Sequence, residues 1–103
     1  MVIVVFEVTV KAGRDEDYFT LAARLREELE KVDGFVSVER FKSLVEDGKY
    51  LSLSTWRDEA AVTAWREHAG HRVAQSRGKD DLFADFRIRV AEVVRDYALA
   101  DRV

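Results

Sequence analysis

Two histidines stand close together in the second half of the chain: His68 and His71, beside Trp65, Arg66 and Arg72. Imidazole has an ordinary pKa of about 6.5, so it accepts and returns a proton at neutral pH. His71 is the candidate for that work. It could take a proton from a phenolic or enolic substrate and leave a carbanion able to reduce dioxygen, or it could ligate iron. On an ideal helix it lies about 120° from Trp65, so a break at Gly70 would be needed to aim both at one ligand. His68 and His71, at i and i+3, reach a common metal. Two ligands are too few, however, and no zinc signature accompanies them, so no metal is expected. Trp65 shares a helical face with Ala61, Val62, Ala69 and Val73. Small neighbours leave space beside it. It is either a wall on which a flat aromatic or tetrapyrrole stacks, or a core tryptophan. Arg66, Arg72 and Arg77 could hold a carboxylate bidentately. Glu67, Asp80 and Asp81 nearby also suit a solvated helix face.

Other chemistries find no support. The chain has no cysteine, which removes disulfides, thiol nucleophiles and iron–sulfur ligation. No serine sits in a Gly-x-Ser-x-Gly elbow, and no Gly-rich phosphate loop follows a strand. The net charge of -3 and the acids flanking Arg87, Arg89 and Arg95 argue against nucleic-acid binding. No apolar run spans a membrane, and the start lacks the basic region and cleavage site of a signal peptide, so a cytoplasmic protein is expected. Trp56, Tyr50 and Tyr97 read as packing residues, and Arg95-Asp96 as interface or edge polarity.

The elements that must position these residues follow from hydrophobic period. At 103 residues, with 48% apolar and 36% charged, the chain makes a single domain, 1–103. Residues 2–10 alternate as a strand rich in β-branched residues. After Gly13, Asp15 is placed to cap a helix to about Val32, with Tyr18, Leu21, Ala22, Leu25 and Leu29 as its apolar stripe. Gly34 stops it. Residues 35–43 and 49–56 read as strands joined at Glu46-Asp47-Gly48. Asp58 caps a second helix, which Gly70 is expected to bend or interrupt. Residues 77–81 read as a charged loop. A last strand covers about 85–97, with Val93-Val94 hinting at a bulge. The order β-α-β-β-α-β is the split, ferredoxin-like α+β arrangement. Its helices cover one sheet face, and the other is apolar enough to need a second copy, so a homodimer is expected.

The stretch from Trp56 to His71 resembles the antibiotic biosynthesis monooxygenase (ABM) family of dimeric α+β barrels. Gly34-Phe35, Trp56, Trp65 and His71 fit. The ending Phe86-Arg87-Ile88-Arg89-Val90, then Arg95-Asp96-Tyr97, is similar to a subgroup related to heme-degrading monooxygenases. Well-known family oxygenases depend on an asparagine, and this chain has none. Among the heme-degrading relatives that position corresponds to Phe6, and the position of their axial histidine to Gln75. The resemblance implies a cofactor-independent monooxygenase acting on a flat quinol- or anthrone-like aromatic. His71 would be the base and Gln75 or an arginine the oxygen-stabilising donor. Phe6, Phe41, Trp65 and Phe83 would be pocket walls, with His68 and Arg72 beside them. The alternatives are a heme-binding or heme-degrading protein, with His68 and His71 as substitute ligands, and a dimeric ligand-binding domain without catalysis.

Overall fold

The computed structural model describes residues 1–75 and 82–101, except for the side chains of residues 71–75. The order is β1 (Val2–Val10), α1 (Asp15–Leu29), β2 (Phe35–Lys42), β3 (Lys49–Trp56), α2 (Glu59–Gln75) and β4 (Phe83–Glu92). The strands form one antiparallel sheet in the order β2-β3-β1-β4. This is the expected ferredoxin-like α+β arrangement, in which each β-α-β unit leaves room for one strand of the other.

Register sorts the residues by face, because successive side chains on a strand point to opposite sides. Val2, Val4, Phe6, Val8 and Val10 of β1 share the helix side with Tyr50, Ser52, Ser54 and Trp56 of β3. Phe86, Ile88 and Val90 of β4 join them. The outer side carries Ile3 and Val5 with Leu51 and Leu53. On β3 the serines therefore point at the helices and the leucines away. The helices reach β4 incompletely: Phe86, Ile88 and Val90 keep 42%, 39% and 39% of their surface exposed.

Several boundaries differ from the sequence reading. Helix α1 ends at Leu29, short of Val32, because the chain tightens: the Val32 N–H donates to the Leu29 carbonyl (3.0 Å) and Phe35 to Val32 (3.2 Å). That turn leads to Gly34, whose φ of +92° suits glycine, and a Cβ there would meet the Ala61 Cβ at 2.8 Å. Asp15 is the first helical residue rather than the cap, and its carboxylate accepts a hydrogen bond from the Tyr50 hydroxyl. The first-turn acids Asp15, Glu16 and Asp17 still complement the helix dipole. Helix α2 has its expected cap, the Ala61 N–H donating to Asp58 Oδ1 at 2.9 Å. It runs through Gly70 without a break, since one glycine weakens a helix by only about 1 kcal/mol. Strand β4 ends at Glu92, not near residue 97, and the Val93 N–H that follows it donates to the Met1 carbonyl. Among the described residues the ladder irregularities fall between Thr9 and Val10 and between Phe35 and Ser37 rather than at Val93-Val94. Among the described residues no helix is long and apolar enough to cross a membrane.

Candidate functional site

Between helices and sheet lies a cavity of about 540 Å³. All four strands supply its floor: Val38 and Arg40, Ser52 and Ser54, Val4 and Phe6, Phe86 and Ile88. The apolar stripe of α1, from Tyr18 through Leu21, Ala22 and Leu25 to Leu29, forms one wall. Val62, Trp65, Arg66, Ala69 and Gly70 of α2 form the other. The space exists because the sheet offers small side chains at its centre, where leucine or valine would fill the interior of a closed domain.

The cavity has two different ends. At one, Trp56 is fully buried, and its indole N–H donates to Ser54 Oγ at 2.9 Å. The Phe35 ring meets it edge-on, and Val2, Leu29, Ala61 and Val62 close around it. At the other end Tyr18 is buried among rings, its centroid 5.6 Å from Tyr50 and 5.9 Å from Phe83. Each of these tyrosines keeps a polar partner: the Tyr50 hydroxyl donates to Asp15, and the Tyr18 hydroxyl accepts from Arg40 Nε at 3.2 Å. The hydrogen bond to Asp15, helped by burial, pushes the Tyr50 pKa up to about 12. The Arg40 guanidinium also lies over the Tyr18 ring, 5.3 Å from its centroid.

The residues singled out from sequence divide accordingly. Phe6, Trp65 and Phe83 line the cavity, and the Phe6 and Phe83 rings meet edge-on at 6.2 Å. Phe41 does not line it. It pairs with Leu51, which puts it on the outer sheet face with Leu53 and Val5, and an odd-numbered step on β2 from Val38 requires this. His68 is also displaced from the wall. It is half-exposed, its Nε2 lies 3.4 Å from Glu28 Oε2, and its ring stacks beside Trp65 at 5.6 Å, so it bridges the two helices instead. The side chains of His71, Arg72 and Gln75, and all of Arg77, lie outside the described residues; Gly70, which precedes His71, borders the cavity. Tyr18, Arg40 and Ser52 are cavity residues that sequence reasoning missed. For Arg40 the signal was its parity: it alternates in phase with Val38, so it is an arginine on the inward side of a strand. Among the described residues no cluster of three metal-ligating side chains occurs.

The fold and its cavity have counterparts. A family model described as "Antibiotic biosynthesis monooxygenase" matches residues 1–77. A protein of the fungus Pyricularia oryzae, "Jasmonate monooxygenase ABM", is 42% identical over 93 residues; the match covers 90% of this chain, which spans only 43% of that relative's length. Among solved structures, SnoaB from Streptomyces nogalater, a cofactor-independent oxygenase, superposes with a TM-score of 0.76 at 16% identity, over 92% of this chain and 94% of that one. MhuD, solved with two manganese protoporphyrin IX molecules per active site, superposes with a TM-score of 0.76 at 17% identity, over 95% of this chain and 99% of that one. At these identities the two structures establish the fold.

Proposed function

The chain belongs to the antibiotic biosynthesis monooxygenase family, and from that premise we propose that it is a monooxygenase acting without a cofactor on a small, largely apolar substrate in the central cavity. The observation that carries this reading is the cavity: about 540 Å³, roofed by two helices and walled by Trp65, Phe6 and Phe83. Without a cofactor, the substrate itself must supply electrons to dioxygen. Loss of a proton from a phenol, or from carbon beside a carbonyl, leaves an anion that can do so. For an anthrone-like CH₂ the balance is one CH₂ and one O₂ in, one C=O and one water out. The protein's share is to hold the ring, exclude water and accept the proton. Aromatic walls suit a flat quinol- or anthrone-like ring. His71 is the proposed base and Gln75 the proposed donor to reduced oxygen, both on the last turns of α2. The fungal relative's name adds jasmonate to the substrates worth testing.

Oxygen uptake with a panel of quinols, anthrones and jasmonate tests the reading. The expected result is turnover of at least one substrate, reduced about 100-fold or more in His71→Ala, as for loss of a general base. Uptake no faster than in buffer would end the monooxygenase reading. Uptake unchanged in His71→Ala would end the assignment of the base.

The same reading takes the outer sheet face as the contact of a homodimer. Ile3, Val5, Leu51 and Leu53 are only partly covered there, and Phe41 is 44% exposed. Sedimentation equilibrium is expected to give twice the 11.9 kDa chain mass. Leu53→Glu should return it to a monomer.

A further inference from the structure

We propose that the cavity takes a molecule that ends in a carboxylate and is otherwise apolar, its acid group held by Arg40 at the β2 edge and its body laid across the sheet toward Ile88. The inference deepens the monooxygenase reading and rests on it for the ligand's fate; the binding geometry stands separately.

One cross-strand row carries the argument. Arg40 pairs with Ser52, Ser52 with Phe6, and Phe6 with Ile88. All four line the cavity, one from each strand in sheet order. Three strand spacings make this row roughly 14 Å long. Its character changes in one direction, from guanidinium to hydroxyl to aromatic ring to aliphatic chain. A floor of that kind matches an amphiphile of similar length lying in one orientation.

The cationic end is built to accept an anion. Buried Tyr18 fixes Arg40 through its hydroxyl and its ring, and neighbouring rings fix Tyr18. That hydrogen bond uses Nε, leaving the two terminal nitrogens as a planar fork of donors suited to a carboxylate. No carboxylate among the described residues pairs with Arg40, nor with Arg66, the second cation on the cavity wall. Arg26, the remaining cavity arginine among the described residues, is already paired with Glu30 at 3.2 Å. Glu39 borders the cavity, but its register with Leu53 assigns it to the outer face. The Ser52 hydroxyl has no hydrogen-bond partner among the described residues and is the next polar group along the row.

The test compares 2-naphthoate with its neutral amide, 2-naphthamide, by fluorescence titration of the full chain. The acid is expected to bind about tenfold more tightly or better, the scale of one charge-assisted contact. Arg40→Gln should bring the two probes within about threefold by weakening only the acid, with a smaller effect from Arg66→Gln. Tyr18→Phe keeps the ring and removes the hydrogen bond that aims Arg40. It should also lower the preference, and it serves if Arg40→Gln fails to fold by circular dichroism. Equal affinity for the two probes overturns the proposal. So does a preference that survives both Arg40→Gln and Tyr18→Phe, or no saturable binding of either probe. Arg40-dependent binding with no oxygen uptake from any acid, quinol or anthrone would leave the anchor standing and remove the oxygenase. Turnover of neutral quinols, unaffected by Arg40→Gln, together with equal probe affinities, would do the reverse.

Discussion

The two ends of the interior are built on opposite principles. Around Trp56 the packing is apolar and closed, and the single polar atom of the ring is satisfied two residues away by Ser54. Around Tyr18 and Tyr50 the packing is aromatic but wired to charge, through Asp15 on one side and Arg40 on the other. The first end ties α1, α2 and the sheet together. The second leaves polar handles facing a cavity. A domain of this size buries too little surface to spare its whole core, so one end holds the fold and the other keeps polar groups beside the cavity.

Substitutions at the two ends should separate stability from binding. Trp56→Ala should cost about 3–5 kcal/mol in urea unfolding, as for a fully buried aromatic. A loss below about 1 kcal/mol would mean that the closed end is not the anchor. Gly34→Ala should cost roughly 2–3 kcal/mol, part from the positive φ and part from the contact with Ala61. Adding Ala61→Gly should recover the steric part only, and full recovery would show that backbone conformation contributes nothing.

At the open end, Tyr50→Phe should cost about 1.5 kcal/mol by breaking the bond to Asp15. The folded-state pKa of Tyr50 lies above its ordinary value, so this contribution is present below about pH 10 and lost as pH rises toward about 12. Stability measured across that window should fall in the parent and fall less in Tyr50→Phe; parallel curves would dissociate the bond from stability. The smallest effect belongs to Asp58→Ala, which removes the α2 cap. The Arg57 side chain and the Ala61 N–H hold the Asp58 pKa below the ordinary carboxylate range. Its contribution is therefore present above about pH 4 and lost as pH falls further. Differential scanning calorimetry at pH 7 and pH 3 should show a lowered Tm in the variant at the first and a smaller difference at the second.

Much of the architecture was legible because it is written locally. Period two marked four strands, period 3.6 marked two helices, and Gly34, Gly48 and Asp58 punctuated them where the structure does. The errors were at ends and faces. Gly70 reads as a break, yet α2 passes through it, because helix continuity depends on neighbouring turns more than on one residue. Alternation along β3 separates Leu51 and Leu53 from Ser52 and Ser54 without saying which pair faces the helices. Hydropathy alone would turn the leucines inward. The fold does the opposite, and the cavity is the consequence.

The candidate site was half visible. Phe6, Trp65 and Phe83 are large aromatics that composition draws to attention, and all three border the cavity. His68 drew attention by type, but Glu28 from the other helix holds it elsewhere. Phe41 was assigned to the wall against its own parity with Val38.

The order of elements, the inward stripe of α1 and the membership of each strand face were determined by the sequence, through local periodicity and turn chemistry. The alignment of Arg40, Ser52, Phe6 and Ile88 in one row was not. It depends on which strands are neighbours and on their register, and both are set by contacts between residues dozens of positions apart. A one-residue slip of any strand would replace its member of the row with the side chain from the opposite face. Only the assembled sheet decides that an arginine, a serine, a phenylalanine and an isoleucine share a floor.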